Sequence, residues 1–158
     1  MCIIHAMEDD LRQLHDAMMD LVGVINRPEP DARLIAEAGI PLDRALFPLL
    51  VRIERKGPIG VVELADLAGR DHSTVSRQVA KLESLGLVER RPGKADKRVR
   101  EAVVSPKGRA MTDALDDARQ RLQGPILAKW TAQDRKDLVR LMRKLADEAL
   151  AQAYGLEA

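Results

Sequence analysis

Residues 72–105 read HSTVSRQVAKLESLGLVERRPGKADKRVREAVVS. Val75, Val79 and Leu82 recur in this stretch at the spacing of one helix face. Asp71 stands just before them, where a short carboxylate can accept from the free amides of a first turn, and Gly86 stands just after as a stop. The spacing therefore predicts a helix over about 72–85. "LVERR" (87–91) and "VREAVVS" (99–105) are β-prone runs separated by the polar stretch 92–98. Together they predict a hairpin over about 87–105 with a longer loop at its tip. Pro92 and Gly93 open that tip, which carries Lys94, Lys97 and Arg98 and a single acid, Asp96.

Upstream, "VVELADLA" (61–68) predicts a short helix stopped at Gly69, and "GRD" makes the turn into the next one. Helix, turn, helix, then a hairpin with a basic tip is the order of a winged helix-turn-helix, whose second helix lies in the major groove. The face of that helix away from Val75, Val79 and Leu82 presents Ser73, Thr74, Ser76, Arg77, Gln78 and Lys81. The hydroxyls are short enough to let the backbone come close. Arg77 suits guanine, Gln78 suits adenine, and Lys81 suits phosphate. An ordinary exposed helix is rich in Glu–Lys pairs; this one has no acid on its exposed N-terminal half beyond the cap.

The charge distribution agrees. Net charge is only +1. Yet residues 70–100 hold 9 Lys/Arg against 4 acids, whereas residues 1–69 hold 7 against 12 and residues 101–158 hold 10 against 9. One basic segment within an acidic or balanced chain is the footprint of a polyanion-binding patch.

The flanking segments read as helices. Leu11, Leu14, Met18, Leu21 and Ile25 step by three and four through a helix over roughly 8–26, the seam that packs helix on helix. "NRPEPD" (26–31) ends it, and 32–38 adds a turn or two. A further helix is predicted to open near Pro41 and close at Gly57, with Leu46, Leu49, Leu50 and Ile53 on one face and a bend or loosened first turns at Pro48. Ser105-Pro106 reads as a cap and first position for a helix carrying Met111, Leu115, Ala118 and Leu122. Gly124-Pro125 is expected to interrupt it. "TAQD" (131–134) fits a capping box for the last helix, with Leu138, Leu141, Met142 and Leu145. Of 158 residues, 46% are hydrophobic and only 2% aromatic, a mix that favours an aliphatic, mainly helical core. No apolar run approaches the roughly 18 residues of a membrane span, and the N-terminus is too short and acidic for a signal peptide, so a cytoplasmic protein is expected.

The run "STVSRQVAKLESLGLVERR", the Asp96-Lys97-Arg98 triplet and the "V-x-S-P-K-G" exit into a helix resemble the multiple-antibiotic-resistance-regulator (MarR) family of bacterial transcription factors. The likeness covers 63–108, about a third of the chain. It implies a single domain over 1–158: a mainly α fold with a small β wing, a winged helix-turn-helix lobe over 40–105, and dimerisation helices at 1–38 and 106–158. It implies a homodimeric repressor bound to double-stranded DNA at an inverted repeat. It also implies that Arg98 enters the minor groove with Asp96 holding it, and Arg91, Lys94 and Lys97 join the DNA-facing set. A small anionic or phenolic effector would bind between the dimer helices and the lobe, where Arg12 and His15 are candidates. Arg70 stands where many relatives have an apolar residue, either touching phosphate or facing water.

Other readings find less in the sequence. A winged-helix module that binds protein, or a non-specific DNA binder, would use the same scaffold. There is no phosphate-binding glycine loop, and adjacent His72 and Ser73 make no nucleophile and base pair, so no enzyme and no cofactor are expected. His5, His15 and His72 lack close ligand spacing for a metal. Cys2, the only cysteine, shows no charge partner that would make it a redox sensor.

Overall fold

A computed structural model of the chain describes residues 2–154, with side chains over residues 7–153. The contacts divide it into two units, Met1–Ala118 and Arg119–Ala158. The first unit opens with α1 (Cys2–Ile25) and α2 (Pro28–Ala38), followed by α3 (Phe47–Lys56), β1 (Ile59–Gly60), α4 (Val61–Ala68) and α5 (His72–Ser84). The hairpin β2 (Val88–Pro92) and β3 (Arg100–Val104) then leads into α6 (Pro106–Leu127) and α7 (Ala132–Tyr154). No helix among the described residues is long and apolar enough to cross a membrane.

The core lies under the helix-turn-helix. Leu49, Leu50 and Ile53 of α3, Leu64 and Ala65 of α4, and Val75, Val79 and Leu82 of α5 are fully buried, as are Leu115 and Ala118 of α6. The sheet order is β1-β3-β2, all antiparallel, with Val88 opposite Val104, Pro92 opposite Arg100 and Ile59 opposite Ala102. Leu87, Val88, Ile59 and Ala102 anchor the sheet to the helices at 2% exposure or less. Arg109 and Arg55 bridge α6 to α3 through Glu54 and Asp116, each at 2.8 Å. Gly108 is required where α6 passes Leu87: a Cβ there would stand 2.1 Å from the Leu87 carbonyl.

The structure corrects several expectations. The helix expected from Pro41 begins at Phe47, because Asp43 takes the chain through a turn whose carbonyl accepts from Leu46 and Phe47. Pro48 therefore falls in the first turn of α3, where its missing amide costs nothing, and no bend is needed. The prolines of 26–31 do more than end α1: Pro28 and Pro30 open α2. Gly124-Pro125 does not interrupt α6, which runs on to Leu127 with Pro125 inside it, at the cost of the one bond that an amide at 125 would make to the carbonyl four residues back. Strand β1, two residues long, was not foreseen, and Pro92 pairs within β2 instead of opening the tip.

In the first unit, α1 exposes its whole apolar seam. Leu11, Leu14, Met18, Leu21 and Ile25 are 43–67% exposed. In the second unit, α7 starts at the expected box: Thr131 Oγ1 accepts from the Asp134 amide at 3.0 Å, and the Asp134 carboxylate accepts in return from Thr131. Leu138, Leu141 and Met142 are exposed there too.

Candidate nucleic-acid interface

Both ends of α5 are fixed by specific bonds. At its start, Asp71 Oδ1 accepts from the Thr74 amide at 2.8 Å and from Ser73 Oγ at 2.6 Å. These bonds, that from Ser73 first, hold the Asp71 carboxyl well below the usual carboxylate range. At its end, Gly86 turns the chain at φ 71°. Ser105 Oγ donates to the Gly86 carbonyl at 2.6 Å, and Lys107 Nζ donates to the Leu85 carbonyl at 2.9 Å. Ser105 Oγ also accepts from the Gly108 amide at 3.0 Å, so one hydroxyl caps α6 and ties it to the end of α5. Lys107 lies at the edge of the sequence likeness and proves to be a fastening for this helix.

Asp71 makes the helix start sensitive to acid. A carboxylate with a depressed pKa contributes its full stabilisation above the ordinary value of about 4, and loses it as pH falls through the folded-state value. Asn at 71 would cap without titrating. Thermal melts over roughly pH 2–6 should therefore show a shallower acid loss for Asp71→Asn than for the wild type. Equal pH dependence would remove Asp71 from this role.

The outer face of α5 gathers the expected residues. Ser73, Ser76, Arg77 and Lys81 are exposed, and Thr74 and Gln78 are half-buried. Some are already engaged. Arg77 Nη2 donates to Thr74 Oγ1 at 3.3 Å, and Gln78 Oε1 accepts from Arg70 Nη1 at 3.5 Å. Arg70 is thus drawn onto α5 rather than left free in the turn.

At the wing tip, Lys94, Lys97 and Arg98 are all exposed. Asp96 Oδ1 accepts from the Arg98 backbone amide at 2.9 Å, so the acid fixes the chain beneath Arg98 rather than gripping its guanidinium. The turn is tight: Gly93 donates to the Val99 carbonyl at 2.8 Å, and a Cβ at Gly93 would lie 2.7 Å from the Asp96 carbonyl.

Three cations of the basic segment are bound internally. Arg91 pairs with Glu89 at 2.8 Å. Arg100 Nη2 donates to the Arg90 carbonyl at 3.2 Å. Arg90 places Nε, buried and without a hydrogen-bond partner, 3.6 Å from the Glu83 carboxylate, joining β2 to the last turn of α5. Sequence reasoning did not single out Arg90; its signal was position, two residues after Val88, the start of the strand that packs on α5. Among the described residues, the side chains of Lys81, Lys94, Lys97 and Arg98 make no hydrogen bond or ion pair.

The remaining candidates lie elsewhere. Arg12 and His15 are exposed on α1, with His15 Nδ1 3.9 Å from the Asp16 carboxylate. His72 Nε2 lies 3.3 Å from Asp66 Oδ1, which links the two helices of the pair. Cys2 and His5 fall outside the residues whose side chains are described. Among the described residues, no group of three or more His, Cys, Asp and Glu is placed to hold a metal ion.

Comparison with known proteins gives a consistent result. The sequence profile of the MarR family matches residues 42–99. The uncharacterized HTH-type transcriptional regulator YxaD of Bacillus subtilis (strain 168) is 30% identical over 104 residues, covering 66% of this chain and 73% of that protein. The crystal structure of MarR aligns with a TM-score of 0.63 at 26% identity, over 84% of this chain and 97% of that one. The structure of a MarR family protein from Bacillus stearothermophilus shares the fold at a TM-score of 0.68 and 20% identity, over 90% and 96%.

Proposed function

The chain belongs to the MarR family of transcriptional regulators, and on that premise we propose that it is a homodimeric repressor that releases a palindromic operator when a small effector binds. It is a DNA-binding regulator with a winged helix, not an enzyme. The reading beyond that rests on one observation: Lys81, Lys94, Lys97 and Arg98 point outward without internal partners, beside Arg77 and Gln78 on a helix fixed at both ends. Groups so arranged suit phosphates and base edges of duplex DNA. Ser73, Thr74 and Ser76 let the helix backbone approach the groove, and Asp96 sets the chain that carries Arg98.

Members of the family function as dimers. The exposed seam of α1 supports the same for this chain. Five large apolar side chains left about half in water forfeit roughly 1 kcal/mol each, so about 5 kcal/mol in all. That is comparable to the whole stability of a small domain, roughly 5–15 kcal/mol. A second copy covering residues 1–38 and 106–158 would recover it and leave 40–105 free for DNA. A cytoplasmic location follows from the same reading. Arg12 and His15 are the residues we assign to an anionic or phenolic effector.

Transcription in vitro tests the proposal. Added protein should lower transcription from a promoter that overlaps the bound inverted repeat. A rise in transcript would make the protein an activator. Binding that showed no salt dependence would instead favour a protein-interaction module.

A further inference from the structure

We propose that Arg90 and Glu83 form a latch that holds the wing at a fixed angle to α5, which makes them positioning residues for the DNA contact of Arg98. The inference rests on the DNA-binding reading and adds to it two residues that face each other rather than the duplex.

Alternation along β2 shows why such a latch is needed. Val88, Arg90 and Pro92 share one face of the strand, and Glu89 and Arg91 share the other. Val88 is 2% exposed, and β2 packs on α5. Arg90, the next residue on that face, sits where the apolar support ends. It pairs with Ala102, the buried residue of β3 nearest the tip, and from Arg91 to Glu101 no side chain of the hairpin is buried. On the other edge, β1 supports β3 only as far as Glu101, opposite Gly60. The tip with Lys94, Lys97 and Arg98 projects beyond that support. Apolar contact is non-directional, so Val88, Ala102 and Ile59 alone would leave the hairpin free to tilt.

Arg90 supplies the direction. Its side chain is 19% exposed, its Nε is buried without a hydrogen-bond acceptor, and Glu83 Oε2 lies 3.6 Å away. Its carbonyl accepts from Arg100 Nη2 at 3.2 Å, so the same residue ties β2 to β3 below the tip. Among the described residues, Glu83 is the one acid within ion-pair reach of Arg90. It stands in the last turn of α5, the helix that carries Arg77 and Gln78. The pair therefore refers the wing directly to that helix. A buried N–H is seldom left without an acceptor. Here a carboxylate stands about 0.7 Å beyond the usual length of such a bond, so a swing of β2 toward α5 completes the bond and a swing away breaks the pair.

The test uses the full-length protein and a duplex selected from a random pool, with the melting temperature followed for every variant. Glu83→Gln gives the sharpest reading, because it removes an acid beside a polyanion. Charge alone would raise affinity; the latch predicts a fall of about threefold or more. Arg90→Met, which keeps the stem and drops the charge, should weaken binding on the order of tenfold. In that background the further loss from Arg98→Ala should shrink to less than about twofold, while Arg77→Ala keeps its full loss and its altered base preference. The reversed pair, Glu83→Arg with Arg90→Glu, should restore most of the affinity and the effect of Arg98→Ala. A rise in affinity for Glu83→Gln would overturn the latch. So would an Arg98→Ala loss as large in the Arg90→Met protein as in the wild type, which would make Arg90 a phosphate contact of its own. A lowered melting temperature with unchanged affinity would overturn it too, leaving the pair a support of the fold alone. If Arg98→Ala changes nothing in the otherwise wild-type protein, the failure lies in the DNA-binding reading of the wing itself.

Discussion

Aspartate at both Leu14 and Leu21 will turn the protein into a monomer and weaken operator binding by roughly 10²–10⁴-fold. Both residues lie on the α1 seam and are 43% and 52% exposed in the single chain. Each would bring a charge to a surface that must lose water on pairing, and burying an unpaired carboxylate costs far more than an apolar contact yields. The loss on DNA exceeds the damage to either lobe, because a monomer meets the second half-site with no help from the first. The helix-turn-helix core uses neither residue, so the lobe should remain folded. Sedimentation equilibrium with an operator titration checks this. A double variant that stays dimeric and binds as the wild type does would remove α1 from the interface.

The second large effect concerns the outward cations. Arg77→Ala removes a base-edge contact worth about 1–3 kcal/mol, and the dimer loses it twice, so affinity should fall on the order of 10²-fold with a changed preference at one base pair of each half-site. Arg98→Ala should weaken binding to many sequences alike, since a wing contact reads position and groove width more than base identity. Lys107→Ala provides the contrast. Its amine fastens the Leu85 carbonyl, so its loss should lower the melting temperature and leave the salt slope intact. Selection from a random duplex pool, run for each variant, separates the cases. An unchanged preference profile for Arg77→Ala would place that residue away from the bases, and wild-type affinity for Arg98→Ala would remove the wing from the contact.

Much of the DNA lobe was legible because its signals are local. The Asp71 cap, the Val75–Val79–Leu82 stripe and the stops at Gly69 and Gly86 set α4 and α5 almost to the residue. The heptad seam of α1 was equally plain. What escaped depends on contacts between distant segments. Two residues, Ile59 and Gly60, carry no strand periodicity; they become β1 because Ala102 and Glu101 of β3 lie beside them. The start of α3 turns on Asp43 and on the first-turn place of Pro48, which the apolar pattern from Leu46 onward concealed. Counting cations found the basic segment but could not show which of them the protein already uses. Arg90, Arg91 and Arg100 are occupied by Glu83, Glu89 and a backbone carbonyl, while Lys94, Lys97 and Arg98 are not. Asp96 shows the same limit: its place beside Arg98 was visible, but its bond to the backbone amide was not.

The most direct test of the account is a hydroxyl-radical footprint on a duplex selected from a random pool. Two copies of the lobe on one face of the helix predict two protected windows centred about 10 base pairs apart, related by the symmetry of an inverted repeat, with minor-groove protection outside each from the wings. A single window, protection without symmetry, or a pool that yields no preferred sequence would contradict it.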